Sequence, residues 1–216
     1  MLFFAVAAAA AAAGARPARA HPHVWVTIES TALVGADSVV SGIRHKWTFD
    51  ELYSSFAIQG LDKKGGNNPT REDLKELAQL NIESLKEFGY FTTPQSSGEK
   101  VGLKPPVDYF LEVKDGLLTL NFTLPLEKPV PANKTPLAFA ITDPTYFIAF
   151  QFAKDKALTL APGVPAGCAI EMRPLAADAG QADKLADAFS KALGPGSGGV
   201  ATSDAIVVAC TEKEKK

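Results

Sequence analysis

Two of the chain's three histidines, His21 and His23, sit together in ARAHPHVW at residues 18 to 25. Imidazole is a ligand for borderline transition ions, and two imidazoles one residue apart in an extended segment project from the same side. Cleavage after Ala20 would make His21 the first residue. Its freed α-amine, with a pKa of about 7.7–8.0, then chelates together with its own ring nitrogen. Pro22 has no amide N–H to lose, which rules out the square-planar clamp that an amino-terminal segment otherwise offers copper or nickel. One amine and two imidazoles remain, a set suited to zinc, copper or nickel.

A carboxylate to complete the set follows from pairing the first two strands. VWVTIESTALV alternates, with Val24, Val26 and Ile28 on one face. SVVSGIRHKWTF alternates again, with Ile43, His45, Trp47 and Phe49 together. A hairpin across VGAD sets Leu33 opposite Ser38, Val26 opposite His45 and Ile28 opposite Ile43. In that register Asp50 faces His21 and Thr48 faces His23, so Asp50 is the expected third ligand. The third histidine, His45, falls on the apolar side and is expected in the core, which makes it a weaker ligand candidate.

These elements belong to an α+β pattern of mainly antiparallel, sandwich-like sheets with a two-helix insertion over residues 50–89. DELYSSFAIQG reads as a short helix capped by Asp50. TREDLKELAQLNIESLKEFG reads as a longer one, with Thr70 and Asp73 forming a capping box and Leu74, Leu77, Ile82, Leu85 and Phe88 its apolar stripe. LLTLNFTL has Leu118, Leu120, Phe122 and Leu124 at period two. PLAFAITD and TYFIAFQF follow, the second apolar enough to be covered on both sides. QADKLADAFSKAL reads as a late helix before the terminal strand, within a C-terminal helix–strand segment at 180–210. Tyr109, Phe110, Tyr146, Phe147, Phe150 and Phe152 are expected in the core, with a ligand groove as the alternative.

The first twenty residues stand apart. MLFFAVAAAAAAAG has the length of a signal-peptide apolar region, and Ala18 and Ala20 supply the small residues a signal peptidase reads. Nothing positive precedes Arg16, so the basic stretch that opens such leaders would lie upstream. The expectation is a signal peptide over 1–20, a single α+β domain over 21–216, and a periplasmic product without a membrane span. The chain has 22 Lys and Arg against 24 Asp and Glu, and losing Arg16 and Arg19 makes it more acidic still. A mildly acidic chain lacking a basic stripe does not suit nucleic acid. In an oxidising compartment the only two cysteines, Cys168 and Cys210, pair most simply as a disulfide contributing about 3–4 kcal/mol. Two zinc thiolates would need histidine or cysteine nearby in sequence, which neither has.

HPHVW, KWTFDELYS, NIESLKEFGYFT, PPVDYFLEV, ITDPTYFIAFQF and PAGCAIEM, in that order, resemble an uncharacterised bacterial family, domain-of-unknown-function family 1007. That family is described as the periplasmic component of an uncharacterised transport system. The resemblance implies export and association with a membrane transporter for nickel, cobalt or zinc. It also marks Asp143, in TDPTYF, as a weaker candidate carboxylate, although an Asp-Pro turn explains that residue equally. Relatives often carry a calcium-binding loop where this chain has DKKGGNNPTRED. Here Asp62 and Asp73 hold the first and twelfth positions, but Lys64, Gly66 and Asn67 break the pattern, so calcium is not expected.

Function divides accordingly. The favoured reading is an exported protein that binds a transition metal through His21, His23 and Asp50 and assists a metal transporter. The alternatives are a copper enzyme with a histidine brace, which would need His45 to join His21, and a periplasmic ligand-binding or structural protein without metal. No GxSxG or HExxH motif supports hydrolysis, so an enzyme is not expected.

Overall fold

The computed structural model describes residues 23–59, 61, 69–145, 147–173 and 205–211. His21, the Ala20 cleavage position, Asp62 with its loop, Tyr146 and the late helix at 181–193 lie outside them. In chain order the elements are β1 (Val24–Val34), β2 (Val39–Phe49), α1 (Glu51–Ile58), α2 (Lys75–Lys86), β3 (Thr92–Ser96), β4 (Glu99–Lys100), β5 (Val107–Lys114), β6 (Leu117–Pro131), β7 (Leu137–Ile141), β8 (Ile148–Phe152), β9 (Leu158–Leu160), β10 (Cys168–Arg173) and β11 (Ala205–Cys210).

The strands form two sheets. The first runs β5-β6-β2-β1-β8, with β9 also paired to β1, and the second runs β10-β11-β7-β3-β4. Neighbours are antiparallel except β8 and β9, which both run parallel to β1. The fold is α+β. Period-two alternation is what makes it close: Val26, Ile28, Ile43, Leu118, Leu120, Phe122 and Leu124 turn inward from the first sheet and are fully buried. Leu137, Phe139 and Ile206 oppose them from the second sheet.

The β1–β2 hairpin forms, but its register differs from the one expected. Val26 pairs with Phe49, Ile28 with Trp47 and Ser30 with His45, four residues further along β2. The turn lies later than VGAD alone suggests. Gly35 N donates to Val39 O at 2.9 Å, and Asp37 Oδ1 accepts from Val39 N at 3.2 Å. Ser41 then bulges out between Val40 and Gly42, which pair with the adjacent Val34 and Leu33. Glycine is required there, because a Cβ at Gly42 would meet Leu124 O at 2.8 Å. An even shift leaves the inward and outward faces unchanged, which is why the alternation was legible although the partners were not.

The helices follow their caps with one adjustment. Asp50 Oδ1 accepts from Tyr53 N at 2.8 Å and starts α1 as expected. Thr70 and Asp73 bond reciprocally, Thr70 N to Asp73 Oδ2 at 2.8 Å and Asp73 N to Thr70 Oγ1 at 3.3 Å. Residues 71–74 nevertheless form a turn, and α2 begins only at Lys75. Its buried side is Leu74, Ala78 and Ile82, with Leu77 and Leu85 partly covered. Phe88 departs from the expected stripe. The helix ends at Lys86, the chain turns, and Phe88 is left exposed, stacked on Phe91 at 5.2 Å. TYFIAFQF also departs: β8 is an edge strand and half-buried, whereas β7, from PLAFAITD, is the strand covered throughout.

Candidate functional site

The end of the first sheet where β1 begins gathers several of the singled-out residues. His23 N donates to Phe147 O at 2.8 Å, and the His23 ring lies 4.9 Å from the Phe147 ring. Trp25, next on the same outward face, is 48% exposed. Across from it, Asp50 Oδ2 accepts from Trp25 N at 2.8 Å while Asp50 N donates to Trp25 O at 3.0 Å. Asp50 therefore stands opposite Trp25 and diagonal to His23, four positions from the partner that the expected register gave it. Both of its oxygens hold backbone: one closes the hairpin and the other caps α1.

Asp143 reaches the same end by a different route. Its Oδ1 accepts from Thr145 N at 2.8 Å and Thr145 Oγ1 at 2.7 Å, and its Oδ2 from Ile148 N at 2.8 Å. It is buried and shapes the turn that delivers Phe147 to His23 and Ile148 to Val24. The Asp-Pro turn thus accounts for its local contacts.

His45 lies on the other side of the sheet, fully buried among Phe122 at 5.1 Å, Trp47 at 5.7 Å and Phe139 at 6.4 Å. Its Nδ1 is 3.0 Å from Ser30 Oγ and its Nε2 is 3.3 Å from Thr92 Oγ1. The Thr92 hydroxyl donates to Tyr90 O at 2.9 Å, so toward His45 it accepts. Nε2 accordingly carries the proton and Nδ1 accepts from Ser30. Burial drives the His45 pKa down to about 3, so the ring is neutral. Both nitrogens are engaged, and His45 is a core histidine, as its place on the apolar face implied.

His23 and Asp50 supply imidazole and carboxylate, the donor types suited to a borderline ion, at one end of the sheet, whereas Asp143 is buried. Each carboxylate oxygen of Asp50 keeps a lone pair beyond its backbone bond. Among the described residues, however, no three His, Cys, Asp or Glu side chains stand close enough to hold an ion together.

Cys168 and Cys210 form a disulfide, directly opposite one another on β10 and β11 with Cα atoms 3.9 Å apart. Of the aromatic residues, Phe150 packs into the core at 5.0 Å from Trp47 and 5.5 Å from Phe91. Phe110 lies beneath the Arg71 guanidinium at 3.8 Å. Phe147 is exposed. No signal in the sequence pointed to the left-handed turn Gly89-Tyr90-Phe91, with φ of 58°, 56° and 48°, which joins α2 to β3 beside this end.

The family model "Protein of unknown function (DUF1007)" matches residues 6–210. The chain belongs to this family. Two relatives within reach are themselves uncharacterised. A Haemophilus influenzae protein is 29% identical over 139 residues, 64% of this chain and 66% of its own length. A 15.5 kDa protein encoded in the trpE 3′ region of Spirochaeta aurantia is 32% identical over 103 residues, 48% of this chain and 73% of its own. The match to the Haemophilus protein thus stops just short of two thirds of that relative. Four of the segments that suggested this family, HPHVW, KWTFDELYS, NIESLKEFGYFT and ITDPTYFIAFQF, meet at the end of the fold described above, through the His23–Phe147, Trp25–Asp50 and Phe91–Phe150 contacts.

Proposed function

We propose that this protein is exported to the periplasm, loses its first twenty residues, and captures a transition metal ion as cargo for a membrane metal transporter. The ligands are the amine and imidazole of His21, the imidazole of His23 and the carboxylate of Asp50. The observation that carries this reading is the placement of His23 on the outward face, with Asp50 diagonal to it across the hairpin. The disulfide is compatible with an oxidising compartment. No helix among the described residues is long and apolar enough to cross a membrane. Burial of His45 favours capture over a histidine brace, because a brace needs its ring beside His21.

The test is a competition titration with zinc and with copper on protein beginning at His21. Adding one glycine before His21 removes the chelating amine, and His23→Ala removes an imidazole. Both should weaken binding by about tenfold or more. Equal affinity in all three proteins overturns the reading.

A further inference from the structure

The outward face of the second sheet is apolar and buried, although among the described residues no helix or sheet lies over it. Gln95, Ala138 and Val207 stand in one line across β3, β7 and β11, each the register partner of the next. Ala140 and Ala205 share that face, two positions along their strands. All five are buried, yet the four apolar ones stand apart from the core between the sheets. The described strands are used up in the two sheets, and both helices belong to the first, α1 against β6 and α2 against β5. Gln95 is 2% exposed, and neither its Nε2 nor its Oε1 finds a partner among the described residues. On an open face water would reach both atoms, so a further layer covers them.

The course of the chain says which segment that is. β10 ends at Arg173 and β11 begins at Ala205, register partners on neighbouring antiparallel strands. A few residues would join such a pair, whereas residues 174–204 leave and return at that point. Within them QADKLADAFSKAL sets Ala182, Leu185, Phe189 and Leu193 along one side of a helix. Asp183, Lys184, Asp187 and Lys191 fall on the other side, and Gly194-Pro195 supplies the stop. A helix of that length is about 20 Å long, close to the width of four strands. The alanines of the sheet leave room for Leu185 and Phe189.

We propose that residues 181–193 pack as a helix across the outward face of the second sheet, a third layer over Gln95, Ala138, Ala140, Ala205 and Val207. Its apolar side meets the alanines and its charged side meets water. The layer makes this face an internal surface, closed to an outside partner. The proposal is independent of the metal reading.

Hydrogen exchange on the full protein, read by mass spectrometry, tests this. Amides in 181–193 should exchange about a hundredfold or more slowly than in the isolated peptide. Ala140→Arg forces a charge under the layer and should speed their exchange about tenfold or more, with β1 and β2 unchanged. Phe189→Asp should do the same from the other side. If Ala140→Arg also loosens β1 and β2, Phe189→Asp, which alters neither sheet, decides alone. Peptide-like exchange of 181–193 in the wild type overturns the proposal, as does protection that Phe189→Asp leaves unchanged. Protection that falls on dilution, with a dimer seen in sedimentation, assigns the face to a second copy and overturns it too.

Discussion

His45 Nε2 and Thr92 Oγ1, 3.3 Å apart, form a hydrogen bond between the two sheets, since His45 lies on β2 and Thr92 on β3. With the Ser30 bond on Nδ1, it satisfies a fully buried ring that is held neutral. An unfolded His45 takes up a proton near pH 6.5, whereas the folded ring resists it down to about pH 3. Between those limits the unfolded chain binds more protons, so stability falls as the pH falls. From this group alone, roughly 4–5 kcal/mol should be lost between pH 6.5 and 3. Urea melts of wild type and His45→Gln at pH 7, 5 and 4 check this. The variant should be weaker at pH 7 and lose part of the acid slope, whereas unchanged slopes would assign acid sensitivity to other groups.

The two roles of Asp50 can be separated. Asp50→Ala removes the α1 cap and the Trp25 bond and should cost about 1–2 kcal/mol. Asp50→Asn keeps an acceptor for the cap and should cost less. If Asp50 also ligates cargo, the asparagine variant loses metal affinity while largely retaining its thermal midpoint. Calorimetry beside a zinc titration distinguishes the cases.

Two glycines should respond unequally to alanine. At Gly89, φ is +58° with nothing near the new Cβ, so Gly89→Ala should cost about 1–2 kcal/mol of left-handed strain. At Gly42 the new methyl would press on the Leu124 backbone at 2.8 Å, inside the β2–β6 ladder. Gly42→Ala should be the more destabilising, measured by denaturant midpoints. The reverse order would mean that the bulge yields easily.

Reducing the Cys168–Cys210 bond should lower stability by about 2–4 kcal/mol without unfolding the sandwich. The bond fastens the edge strand β10 to β11, which also pairs with β7. The first sheet should keep its protection in hydrogen exchange, while β10 and β11 lose theirs first. Uniform loss across both sheets would contradict that order.

The sequence by itself determined which residues face inward. Period-two alternation is a local property, so Val26, Ile28, His45, Trp47, Leu118, Leu120, Phe122 and Leu124 could be assigned to the core without knowing any partner. The Asp50 cap and the Thr70–Asp73 box were legible for the same reason, being contacts between residues three apart. Partnership was not legible. Sliding β2 by four residues preserves every face, so the pattern alone cannot distinguish Asp50 opposite His21 from Asp50 opposite Trp25. The late turn and the Gly42 bulge decide between them. The parallel seating of β8 beside β1, which brings Phe147 to His23, joins segments more than a hundred residues apart and leaves no periodic trace in either.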